Sequence, residues 1–184
     1  MEDFLNIEDL DSELLNNRHV FLLDNIDLEN SVRLCKQLIY LNSINDDPIY
    51  LFINSIGGDV SCAFSIIDTI ESIDAPVYTV AFGCVYSAAL SVFVSGEVGH
   101  RYTTKRCHFL IHPISHYSSF DKNIKEARVN IKITEDMSKM IKDIFKNHSK
   151  KRLHKKLLYY LDSYEDNYFF AKEAIQIGVA DKYF

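Results

Sequence analysis

The sequence predicts an α/β fold, a largely parallel sheet covered by helices on both faces, and three observations carry that reading. Residues 20–23, 49–53 and 77–82 are short apolar, β-branched or aromatic runs, long enough for buried strands and too short for ordinary helices. Segments of helical period separate them, and strands apolar on both faces that alternate with helices belong to covered parallel sheets. Finally, 184 residues of which 47% are hydrophobic suit one domain with a sizeable core.

Taken in order, the opening is acidic (Glu2, Asp3, Glu8, Asp9, Asp11, Glu13) yet carries Phe4, Leu5, Ile7, Leu10, Leu14 and Leu15 at roughly helical spacing. Residues 1–17 are therefore expected to form a short docking helix or a mobile arm, and 18–184 a single domain. Asp27 is placed to N-cap a helix through residue 41, with Leu28, Val32, Cys35, Leu38 and Ile39 as its apolar stripe. Pro48 ends the connection, 49–53 form the second strand, and 54–59 a tight loop feeding a helix over 60–73. Gly83 breaks the third strand. Residues 87–95 are small or apolar all round, which suits a buried helix closed by Gly96. A fourth strand is expected over 106–112. Ile124, Ala127, Ile131, Met137, Met140, Ile141 and Ile144 mark one long helix over 122–146. The basic run 150–156 reads as a solvated turn leading into 157–161. A last helix through Ala174 and Ile177, closed by Gly178, precedes a short strand at 179–183.

A formal charge of −6 argues against a nucleic-acid or anionic-membrane binder, since such proteins show a basic excess. Cys35, Cys62, Cys84 and Cys107 are scattered without a CxxC pair, which predicts free buried thiols, no metal and no cofactor. A reducing, cytoplasmic setting is the expectation, because the acidic start lacks the basic and apolar regions of a secretory leader. Gly83 and several polar residues interrupt the most apolar region, 77–94, so it reads as core and not as a membrane span.

Ser87 sits where a buried strand hands over to a buried helix, and first-turn N–H groups there can stabilise a developing oxyanion. A lone serine before a helix is more often an N-cap. Gly57-Gly58 falls at another strand-to-helix turn, where a substrate carbonyl can approach the backbone, although paired glycines serve tight turns in most proteins. His112 ends an apolar strand before Pro113, and Asp166 lies in an aromatic stretch. Each has a bland alternative, a solvent-facing histidine and a helix-capping acid. Together they supply the nucleophile, base, orienting acid and N–H donors that acyl transfer requires.

These pieces resemble the proteolytic subunit of the Clp protease, the ClpP family of serine peptidases. Ile53-Asn54-Ser55-Ile56-Gly57-Gly58-Asp59-Val60 is similar to that family's INSPGGxV, and Gly83-Cys84-Val85-Tyr86-Ser87-Ala88-Ala89 to its nucleophile segment. Leu110-Ile111-His112-Pro113 resembles MIHQP, and residues 171–181 resemble the closing AxEAxxxGLVD. Gly58 and Ser87 are 29 positions apart and Ser87 and His112 are 25, both as the family spaces them. The resemblance implies Ser87 as nucleophile, His112 as general base and Asp166 as orienting acid, with Asp162 the second candidate. It implies backbone N–H groups of Gly58 and Ala88 as the oxyanion hole, and a substrate groove at Gly57, Asp59, Tyr86 and Ile114. The implied fold is the spiral of β-β-α units shared by ClpP and crotonase, with a projecting handle over about 113–147. Implied partners are further copies in seven-membered rings stacked in pairs, other ClpP-like subunits, an ATP-driven AAA+ unfoldase and polypeptide substrates.

The chain departs from the pattern at Ile56 for proline, at Val85-Tyr86 for two alanines, and at the missing glutamine after His112. Tyr86 is expected to narrow the groove, and residues 114–120 contain no glycine where the family has a glycine-rich strand. Two other functional readings follow from these departures and the fold: a weakly active or non-catalytic ring subunit, and an acyl-CoA enzyme of the crotonase type.

Overall fold

The computed structural model describes residues 7–114, 123–149 and 153–184. Residues 1–6 of the acidic opening lie outside the described residues; the rest is helical as α1 (Ile7–Asn16), and the chain then turns at Arg18, whose φ is 60°. The Arg18 guanidinium donates to the carbonyls of Leu41, Asn45, Asp47 and Pro48, which ties the start of the sheet to the connection before the second strand.

Strands β1 (His19–Ile26), β2 (Ile49–Gly58) and β3 (Val77–Tyr86) pair in parallel and alternate with α2 (Leu28–Ile44) and α3 (Val60–Ser72). The side chains of Asp27 and Asp59 accept from Asn30 N–H and Cys62 N–H, so both helices begin at acidic caps. On α2 the expected stripe holds at Leu38, which is buried, and Cys35, which packs against the core, but Leu28, Val32 and Ile39 are exposed and Ser31, Leu34 and Leu41 are buried instead. Both series satisfy a helical period, and the buried Ser31 lies beside Cys62 of α3.

All three strands run longer than the apolar runs suggest. β2 carries on through the expected 54–59 loop, with Gly57 and Gly58 paired to Asn25 and Ile26 after a register shift. β3 passes through Gly83 at φ 64°, where Asn54 Oδ1 accepts the Cys84 N–H at 3.0 Å and a Cβ would fall 2.5 Å from that oxygen. That bend splits the strand between two neighbours. Thr79–Ala81 pair with β4 (Arg101–Thr103), and Cys84–Tyr86 with β5 (His108–Ile111).

β4 went unexpected because Arg101 looks wrong for a core strand, yet it is 2% exposed and bound to Asp181. β6 (Asn167–Phe170) is a second strand that the sequence did not predict, and it pairs antiparallel with β5. Only Phe169 of its four residues is buried, so it lacks a strand-like apolar signal. α4 (Ala88–Val94) is buried throughout, as its composition predicts, and α7 (Ala171–Gln176) leads to β7 (Lys182–Tyr183) beside β4.

The long helix is α5 (Ile124–Asn147), capped by Asn123. Its apolar residues divide between two tasks. Phe145 is buried and Ile141 and Ile144 pack against the core, whereas Ile124, Val129, Ile131, Ile133 and Met140 are exposed. Of the basic run, residues 150–152 lie outside the described residues. Lys155 and Lys156 open α6 (Lys155–Asp162), capped by His154, so this half of the run is helical and not a turn. Among the described residues no helix is long and apolar enough to cross a membrane.

Candidate active site

Ser87 stands between β3 and α4 with φ 53° and ψ −128°, a conformation that costs a non-glycine residue roughly 1–3 kcal/mol. It makes no side-chain capping bond, so the N-cap reading fails. Its Oγ instead lies 2.7 Å from His112 Nε2, and its N–H donates to Leu110 O at 2.9 Å. β3 and β5 are paired neighbours, and this brings together two residues 25 positions apart.

The glycine turn packs directly beneath the serine. A Cβ on Gly57, whose φ is 91°, would lie 2.8 Å from both Ser87 Cβ and Tyr86 O, and 3.1 Å from Ala88 N. Glycine is therefore what allows β2 to reach the turn of Ser87. Ser55 Oγ accepts the Gly57 N–H at 3.1 Å and donates to Asp24 O, which fixes that turn from its buried side. Gly58, Ser87, Ala88 and His112 line one cleft of about 80 Å³. Ala88 is the first residue of α4, so its N–H has no partner within the helix.

The apolar wall of the cleft comes from Val60, Ile111, Ile114, Ile141, Phe145 and Leu161. The sequence reading missed most of these. Ile141 and Phe145 stand four apart on α5 and share a helix face, which was the available signal. Ile114 lines the cleft as expected, and residues 115–120 of the family's substrate strand lie outside the described residues.

Three expected groove residues, Gly57, Asp59 and Tyr86, are not in the lining of this cleft. Asp59 is exposed and caps α3. Tyr86 is absent from the cleft lining; its Oη lies 2.5 Å from His108 Nδ1 and its ring meets Tyr168 edge-on at 5.9 Å. β3 extends through residue 86, which commits the Tyr86 side chain to a face of the sheet.

Asp166 is exposed, just before β6, and no hydrogen bond joins it to His112. β5 and β6 set His108 against Phe170 and Ile111 against Asn167, so the paired register ends one residue short of His112 and Asp166. Asp162 lies on α6 and pairs with Lys142 of α5.

The cysteines are free, Cys107 buried and the other three half-buried. Burial pushes the Cys107 thiol up to about 12, which leaves it unreactive as a nucleophile at neutral pH.

A family model described as Clp protease matches residues 3–184. An ATP-dependent Clp protease proteolytic subunit 2 from Cutibacterium acnes is 34% identical over 172 residues, 91% of this chain and 77% of that protein. Proteins of the same name from Treponema denticola and Bifidobacterium longum are 32% and 28% identical, covering 92% and 96% of this chain and 83% of each relative.

Proposed function

The chain belongs to the Clp protease family, and on that premise we propose that its serine-peptidase activity is carried by Ser87, His112 and Asp166. The observation behind this assignment is the 2.7 Å contact of Ser87 Oγ with His112 Nε2 at a strained strand-to-helix turn. His112 removes the Ser87 proton as Oγ attacks the scissile carbonyl, then delivers it to the leaving amine. The N–H groups of Gly58 and Ala88 take the oxyanion. Asp166 turns to His112 Nδ1 and holds the tautomer that leaves Nε2 free to accept. An apolar substrate side chain enters the wall formed by Val60, Ile114, Ile141 and Phe145. Family membership decides for the peptidase over the acyl-CoA reading, and the Ser87–His112 contact favours an active subunit over a non-catalytic one.

A fluorophosphonate probe tests the assignment directly: wild type should be labelled at Ser87, and Ser87→Ala should not. Label on another residue would refute it. Asp166→Asn is expected to lower kcat by at least about 10²-fold, because the imidazole loses its orienting acceptor. Asp162→Asn should have little effect. The reverse pattern would transfer the role to Asp162.

The relatives are named as ATP-dependent subunits, and we propose an oligomeric chamber fed by an ATP-driven unfoldase for this chain as well. The 24 residues of α5 span about 36 Å at 1.5 Å per residue. Ile131, 58% exposed, and Ile133 leave apolar side chains of that helix in water, which a second copy would cover. Ile131→Glu with Ile133→Glu should give smaller species by native mass spectrometry while each subunit stays folded. Ile141 is unsuitable for that test because it lines the cleft. A monomeric wild type at micromolar concentration would end the chamber proposal.

A further inference from the structure

Behind the Ser87–His112 pair lies a layer of side chains that the peptidase chemistry does not itself use. The pairing of β3 with β5 sets Cys84 against His108 and Tyr86 against Leu110, while β6 sets Tyr168 against Leu110 and Phe170 against His108. Paired residues share a face, so Tyr86, His108 and Tyr168 stand on one face of three neighbouring strands. Tyr86 Oη lies 2.5 Å from His108 Nδ1, and the Tyr86 and Tyr168 rings meet edge-on. On its other side the His108 ring meets Phe170 with centroids 6.2 Å apart. Burial raises the Tyr86 phenol above its ordinary pKa, so it remains a donor at neutral pH.

Each of these residues sits close to a member of the assigned triad. Tyr86 precedes Ser87, His108 is four residues before His112, and Tyr168 is two after Asp166. β5 ends at Ile111 and β6 begins at Asn167, so His112 and Asp166 directly adjoin these two strands. Two further features call for a brace here. Ser87 has a positive φ, a conformation that persists only where its surroundings hold it. β5 pairs with β3 over three residues, and β6 is joined to the sheet through β5, so these three pairs also carry β6.

We propose that Tyr86 is a positioning residue, whose hydrogen bond to His108 and ring contact with Tyr168 hold the ends of β3, β5 and β6 so that Ser87 and His112 stay in bonding geometry. This rests on the serine-peptidase assignment and deepens it. Tyr86 does not touch the substrate. It acts through the strand that carries the base.

The test uses the full-length assembled protein, with three readouts: the rate of fluorophosphonate labelling, kcat and KM for a short fluorogenic peptide, and Tm. Tyr86→Phe keeps the ring against Tyr168 and removes only the hydroxyl. It should lower kcat and the labelling rate about tenfold, on the scale of one buried hydrogen bond, with KM unchanged. His108→Phe should cost the same, and the double variant no more than either single change. His108→Asn, which offers an acceptor oxygen near the position of Nδ1, should retain most of the rate. A role in packing alone would lower Tm and leave kcat per folded subunit intact. Unchanged kcat and labelling in Tyr86→Phe, or losses that multiply in the double variant, would overturn the brace while the labelled wild type upheld the peptidase assignment. A wild type that fails to label would overturn both.

Discussion

Ser87→Ala is expected to leave the subunit folded and to lower peptide hydrolysis by at least about 10³-fold. The substitution removes one atom, Oγ, whose polar contact is with His112 Nε2 and which caps no helix. Alanine carries the same Cβ and faces the same positive φ, so the strain at residue 87 is retained and the balance of stability changes little. What disappears is the nucleophile. His112→Ala should be as severe, because nucleophile and base act as a unit, and the double variant should be no worse than either single one. Initial rates on a fluorogenic peptide, with circular dichroism melts beside them, separate chemistry from folding. Turnover by Ser87→Ala at the wild-type rate would end the serine mechanism.

Ser87, His112 and Gly58 were legible in the sequence because each lies at the end of an apolar strand or inside a short glycine motif, where local pattern and position coincide. The cleft wall was not. Ile141, Phe145 and Leu161 reach the site from α5 and α6 by packing across long separations, and no short window of sequence records that. The fate of Tyr86 depended on where β3 ends: a strand stopping at residue 82 leaves residue 86 free in a loop, and one running to 86 fixes its direction. Asp166 shows the opposite case. Motif position named it, while in the fold it is exposed and the β5–β6 pairing ends one residue short of it. β4 was hidden by a buried charge, since composition marks Arg101 as a surface residue and only the fold supplies Asp181.

That buried charge should also give the largest loss of stability. Arg101 is 2% exposed and grips Asp181 through Nε to Oδ2 at 2.9 Å and through its terminal NH2 to Oδ1 at 3.1 Å. Its remaining donors reach His148 O and Gly178 O, both at 3.2 Å. One side chain thus joins β4, the end of α5 and the chain beyond α7. Arg101→Ala would strand a largely buried carboxylate and two carbonyls, a loss of about 3–5 kcal/mol. Whole domains are typically stable by only about 5–15 kcal/mol. The pH dependence has a definite sign. Burial alone would raise the Asp181 carboxyl, but the hydrogen bond and charge of Arg101, with the N–H groups of Arg101 and Gly99, outweigh it and hold the pKa below the ordinary value. A pKa depressed by folding stabilises the protein above the unfolded value of about 3.9, and that contribution is lost as pH falls through the folded value. Urea midpoints at fixed protein concentration should therefore drop below about pH 4 in the wild type. Asp181→Asn should start lower and lose less over the same interval, because its amide does not titrate there. Equal midpoints for Arg101→Ala and the wild type at pH 7 would mean that the fold does not depend on this pair.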